Sequence, residues 1–175
     1  MEEFMLIRPT SKYADQVVEY RQDFLDAGDS MDGTGPLRRI GNPEEYIKIC
    51  EDYEDPQKVP SHWVPSTQFL FVRKCDNRLV GMIQVRHCFN DFIEKYAGHI
   101  GYSIRPSERC KGYAKEMLRM TLPFCREIGL DKVLISCIDG NIGSEKTILA
   151  NGGVYESTVY EPDGAERLKK FWITL

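Results

Sequence analysis

The segment Arg109-Cys110-Lys111-Gly112-Tyr113-Ala114 stands directly after the apolar run Gly98 to Ile104 and directly before a helical pattern. The first turn of a helix carries unpaired amides and a partial positive charge, so a glycine turn feeding into it can wrap an anion with backbone N–H groups. Gly112 lets the backbone come close, and Ala114 keeps that face small. The plainer alternative is a helix start flanked by two solvated charges, Arg109 and Lys111. A second pattern favours the anion cradle. Asn141-Ile142-Gly143-Ser144, then Ile148, then Asn151-Gly152-Gly153, again follow an apolar run, Val133 to Ile138.

Around these segments the hydrophobic periodicity alternates between strand and helix. Phe4 to Arg8 reads as a short strand, and Ala14, Val17, Val18, Phe24 and Leu25 share one face of a helix ending near Gly28. The next stretch, 28–41, holds four glycines and a proline and reads as a mobile loop. Asn42-Pro43-Glu44-Glu45 opens a second helix over Pro43 to Cys50, with Asn42 as cap and Glu45 placed for a capping box. After a loop with Pro56, Pro60 and Pro65, Thr67 to Arg73 and Leu79 to His87 form a hairpin turning at Asp76-Asn77, and Gly98 to Arg105 is a third antiparallel strand. Ala114, Met117, Leu118, Thr121, Cys125 and Ile128 line one helical face ending at Gly129, with a kink expected at Pro123. A helix from Ile142 to Ala150 and strands Val154 to Tyr160 and Arg167 to Leu175 complete the chain. The expected architecture is one α+β domain over residues 1–175, with a mixed, mostly antiparallel sheet of six or seven strands and about four helices.

At 175 residues and 42% hydrophobic, the chain can bury a substantial core. A net charge of −4 argues against a general nucleic-acid surface. Six cysteines without a Cys-x-x-Cys pair or a zinc-like Cys/His spacing read as reduced thiols, and no metal is implied. Met1-Glu2-Glu3-Phe4 lacks the basic start of a secretory signal, and no segment is long enough to span a bilayer, so a cytoplasmic protein without a membrane partner is expected.

Together the 109–114 and 141–153 segments resemble the GNAT superfamily of acyl-CoA-dependent N-acetyltransferases, whose pyrophosphate loop reads Arg or Gln, two residues of any kind, Gly, any residue, then Gly or Ala. The likeness is best from Gly98 to Val159. It implies acetyl-CoA as co-substrate, an amine acceptor of unspecified identity, and direct transfer without a covalent enzyme intermediate; a homodimer is compatible with it. By resemblance, Arg109, Cys110, Lys111, Gly112, Tyr113 and Ala114 would hold the diphosphate. A backbone amide at Ile104 or Arg105 would receive the carbonyl oxygen, and Asn141 and Ser144 would meet the pantetheine and acyl end. Asn141 is equally suited to capping its helix.

Acetyl transfer needs a neutral amine. For a lysine-like amine of pKa about 10.4, that state costs roughly 4.6 kcal/mol at pH 7, so a general base or a desolvating pocket is the larger requirement. His99 is the first candidate base, on the strand the resemblance points to, and Glu94 the weaker alternative. An unprotonated thiolate leaving group costs only about 2 kcal/mol. In many relatives a Tyr seven residues after the Asn donates that proton; here the position is Ile148, and Tyr155 is the candidate substitute. Cys110 is a second departure, at a position where relatives commonly have Gly. The acidic run Glu44, Glu45, Glu51, Asp52, Glu54 and Asp55 would attract a cationic acceptor or simply face solvent, and His62 and Trp63 would line its pocket or anchor a loop. The rival readings are a non-catalytic acyl-CoA-binding or sensing module, and a nucleotide-binding protein, for which the G-x-x-x-x-G-K-[ST] loop is missing.

Overall fold

The computed structural model describes residues 2–175. Seven strands lie in two antiparallel ladders. The first, in the order β1 (Phe4–Ile7), β2 (Ser66–Arg73), β3 (Arg78–Arg86) and β4 (Ile100–Ile104), holds the expected hairpin at its centre. The second sets β7 (Arg167–Thr174) between β5 (Lys132–Ile138) and β6 (Val154–Tyr160). The fold is α+β as expected. The anticipated mixed sheet is divided instead, because β4 and β5, the strands joined by a helix, part before they form a ladder.

Four α-helices cover this framework: α1 (Ala14–Ala27), α2 (Pro43–Asp52), α3 (Tyr113–Glu127) and α4 (Ile142–Ala150). On one face Val17, Tyr20 and Phe24 of α1 and Tyr46 and Ile47 of α2 pack with Leu70, Val72, Leu79 and Met82. On the other, Met117, Leu118 and Cys125 of α3 and Ile148 of α4 meet Phe69, Phe71 and Val80 of the first ladder and Val133, Ile135 and Phe171 of the second. β2 and β3 are therefore buried on both sides; Phe69 and Phe71 enter one core and Leu70 and Val72 the other, and an irregularity in the pairing opposite Phe71 and Val72 shifts the alternation along β3.

Local signals account for most boundaries. The Asn42 side chain accepts from the Glu45 amide at 2.9 Å with Pro43 at the first helical position, and Gly28, at φ 66°, closes α1. α3 continues through Pro123, which cannot donate to the Arg119 carbonyl one turn earlier.

The 28–41 segment departs from its composition. Met31, Thr34 and Leu37 are buried, Gln68 donates to the Gly33 carbonyl at 2.8 Å, and Arg21 donates to the Leu37 carbonyl at 3.0 Å. Gly33, at φ 70°, lies so close to β4 that a Cβ there would fall inside the carbonyl of Gly101. The glycine is required for main chain to cross main chain, which fixes the segment in place.

Candidate active site

The two ladders meet at His99. Its amide donates to the Leu134 carbonyl at 2.7 Å, its Nδ1 accepts the Leu134 amide at 2.9 Å, and Gly98 bridges Ile135. Beyond this point β4 follows β3 and β5 follows β7, opening a cleft of about 920 Å³.

One edge of β4 is left free along this cleft. The Arg105 amide donates to the Val80 carbonyl at 2.9 Å, so strand alternation turns the amides of Ile104 and Tyr102 away from β3. The Ile104 carbonyl, on the same edge, accepts from Arg109 Nε at 3.1 Å. Of the two expected carbonyl-oxygen donors, Ile104 is thus presented to the cleft. Arg105 is not: its amide is used within the ladder, and its guanidinium turns to Asp23 at 3.2 Å.

At the far end of β4, Cys110 and Gly112 hold left-handed conformations, φ 61° and 81°, and α3 begins without a side-chain cap. The amides of its first turn therefore face open space, and a Cβ built on Gly112 would touch nothing within 4 Å. Arg109, Cys110, Gly112, Tyr113 and Ala114 line the cleft here; Lys111 stands beside it, its Nζ 2.8 Å from Glu108. Glu108 is also paired with Arg73 and Arg78, and Arg73 in turn holds Asp76 at 2.7 Å, so that three cations meet two carboxylates here. Burial alone would raise the Glu108 carboxyl, but hydrogen bonds from Lys111 and Arg73 bring it below its ordinary value. Arg109 is held by Asp29 at 2.6 Å and lies over the Phe24 ring.

The opposite wall comes from β5 and α4. Asn141 caps α4, accepting the Ser144 amide at 3.1 Å, and the Ser144 hydroxyl meets the Tyr102 hydroxyl at 2.8 Å. Burial pushes the Tyr102 hydroxyl well above the usual phenol range. Ile148, at the position where the resemblance leads one to expect a tyrosine, is fully buried in the core.

The two expected catalytic side chains lie outside the cleft lining. His99 is buried against the Phe89 ring at 4.0 Å. Burial, with a smaller contribution from the Arg86 charge, pushes its pKa down to about 4. Since Nδ1 accepts a hydrogen bond, Nε2 carries the proton of the neutral ring, which leaves no free lone pair to act as base. Tyr155 is half exposed on β6 and bonded to Thr158 at 2.9 Å. Glu94 is exposed away from the cleft. In the acidic run, Glu54 is paired with Arg8, and Asp52 with Lys48 and Lys58, so it forms a surface network. His62 and Trp63 do not line the cleft, although the Trp63 ring underlies Arg86 at 5.5 Å.

Sequence reasoning missed Arg86, Asp32 and Tyr102, all of which line the cleft. Phe92 and Tyr96 add aromatic surface at the end nearest Arg86 and Asp32, and Phe24 lies at the other end beneath Arg109. The Gly-rich composition around Asp32 hid the order of its loop, and Arg86 and Tyr102 read as ordinary strand positions.

A family model described as an acetyltransferase (GNAT) domain matches residues 5–154. No curated protein matches the chain. Among solved structures, the chain is similar to a ribosomal-protein-S5-alanine acetyltransferase from Vibrio fischeri, with 18% identity and a TM-score of 0.74 over 99% of this chain and 94% of that one. It is similar to the microcin C7 self-immunity acetyltransferase MccE, in complex with acetyl-CoA and AMP, at 18% identity and a TM-score of 0.70 over 99% and 93%. A ribosomal L7/L12 alpha-N-protein acetyltransferase, in complex with coenzyme A, aligns at 14% identity and a TM-score of 0.71 over 98% and 94%. At these identities the structures speak for the fold, whereas the family model spans most of the sequence, including the opened strands and the glycine turn between them. The chain belongs to the GNAT acetyltransferase family.

Proposed function

We propose that the protein transfers an acetyl group from acetyl-CoA to a primary amine by direct attack, without an acyl-enzyme intermediate. The observation that carries this reading is the continuity of one cleft, from an uncapped helix start with open amides to a strand edge with free N–H groups.

Bound acetyl-CoA would supply the thioester. The amides from Cys110 to Ala114 hold the diphosphate, and Arg109 exchanges Asp29 for it. The free edge of β4 takes the pantetheine amides as an added strand would, and Asn141 and Ser144 close the other wall. The Ile104 and Tyr102 amides are the donors available to a carbonyl oxygen, already oriented before reaction.

At the acceptor end Asp32, in no ion pair among the described residues, attracts the ammonium, and Phe92 and Tyr96 favour its neutral form by desolvation. The amine proton passes to solvent rather than to His99, which acts as the joint of the cleft. The Tyr102–Ser144 hydroxyl pair, which burial keeps protonated, donates a hydrogen bond to the departing thiolate in place of Tyr155, and the thiolate takes its proton from solvent.

The burial of Ile148 supports a second reading, a module that binds acyl-CoA without turnover. Calorimetry with acetyl-CoA, followed by release of free CoA thiol with an amine panel, tests both. Binding with turnover supports the transferase, binding without turnover the module, and no binding refutes the cradle.

A further inference from the structure

Arg86 ends β3 opposite His99, its amide donating to the His99 carbonyl at 2.7 Å. Three residues of strand, about 10 Å, separate this point from Tyr102, whose amide is the nearer of the two available to the acyl carbonyl, and five, about 17 Å, separate it from Ile104, beyond which lies the diphosphate turn. The side chain is 9% exposed and lines the cleft. Its Nη1 donates to the Gly98 carbonyl at 2.9 Å, its Nε is buried with no partner, and among the described residues no carboxylate comes within ion-pair distance. Asp32 acts on it only at longer range, and Nη2 lies beside Gly101, where the 28–41 segment crosses β4.

Burying a guanidinium without a carboxylate is costly, and the cost falls when an anion binds. The Trp63 ring beneath it offsets part of this but leaves the hydrogen-bonding fork unsatisfied. We infer that Arg86 is the specificity residue of the acceptor site and binds a carboxylate carried by the acceptor amine, so that the substrate class is an amine with a nearby carboxylate. This deepens the acetyltransferase reading and rests on it. The pair of opposite charges is oriented for such a molecule: carboxylate on Arg86, ammonium toward Asp32, with the amine between them and the thioester.

Two sources present this chemistry, a free amino acid and a peptide whose first residue is acidic. The test measures acetylation of glycine, aspartate and glutamate against their α-carboxamides. In a second arm, C-terminally amidated peptides beginning with Asp or Glu are compared with those beginning with Asn or Gln. A charge-assisted hydrogen bond predicts that wild type prefers the carboxylate in one arm by about 10-fold to 100-fold in kcat/KM, mostly through KM. The arm that shows the preference identifies the source. In Arg86→Gln the preference falls to near one, and in Arg86→Lys it is intermediate because the fork is lost. Equal use of carboxylate and amide by wild type overturns the assignment. So does an Arg86→Gln variant that weakens both alike, since a merely structural arginine would leave the ratio unmoved. Should acetyl-CoA bind while no carboxylate amine is acetylated, Arg86 loses this role and the transferase reading stands; should acetyl-CoA not bind, both fall.

Discussion

Replacing His99 probes the joint on which the cleft opens. In His99→Ala the Leu134 amide loses its acceptor inside the protein, about 1–3 kcal/mol, and the space beside Phe89 empties, for a total near 3 kcal/mol or more at pH 7. His99→Gln keeps an acceptor and costs less, about 1 kcal/mol, and it removes the titration. The folded pKa of about 4 lies below the unfolded value near 6.5, so between these limits the unfolded chain binds the extra proton. The stabilisation is complete above pH 6.5 and is lost as pH falls toward 4. From pH 7 to pH 5 wild type should lose about 2 kcal/mol that His99→Gln does not. His87, whose pKa is also lowered by burial, is common to both proteins and cancels. Urea unfolding of the pair at pH 7, 6 and 5 measures the gap directly. A difference that stays constant with pH would refute the neutral, amide-bound imidazole.

Three further outcomes follow from the same geometry. Gly33→Ala drives a Cβ into the Gly101 backbone at a positive φ and should cost about 3 kcal/mol or more, read as a lowered unfolding midpoint; a neutral substitution would show that the crossing is loose. Cys110→Gly removes a non-glycine residue from the left-handed region and should stabilise the chain by about 1 kcal/mol in thermal or urea unfolding, and a destabilised variant would contradict the assigned backbone. Tyr102→Phe should lower acetyl transfer by about 10-fold to 100-fold while leaving CoA affinity within about twofold, compared by steady-state kinetics and calorimetry; unchanged turnover would remove the hydroxyl pair from the mechanism.

The parts of the fold written in short-range chemistry were legible in advance. Asn42-Pro43 at the start of α2, Gly28 at the end of α1, and the strand-turn-helix passage through Gly112 each depend on a few neighbouring residues. The open, uncapped start of α3 was readable for the same reason. What escaped depends on residues far apart in the chain. Nothing near Gly33 announces that it must lie on Gly101, so a glycine-rich stretch looked mobile where it is fixed. His99 had a suitable intrinsic pKa and sat on a suitable strand, but its role is decided by Leu134, 35 residues away. Arg105 next to Ile104 looked interchangeable with it, and the alternation of the β3–β4 ladder separates the two.

The contact between Gly33 and Gly101 has a bearing on how acceptor choice could diversify. With two bare backbones touching, the ceiling height above β4 has no side chain through which substitution could adjust it. Variation is channelled to the flanks of the crossing, to Asp32 on one strand of chain and Arg86 beneath the other, so a new selectivity would arise by exchanging charges around a rigid aperture.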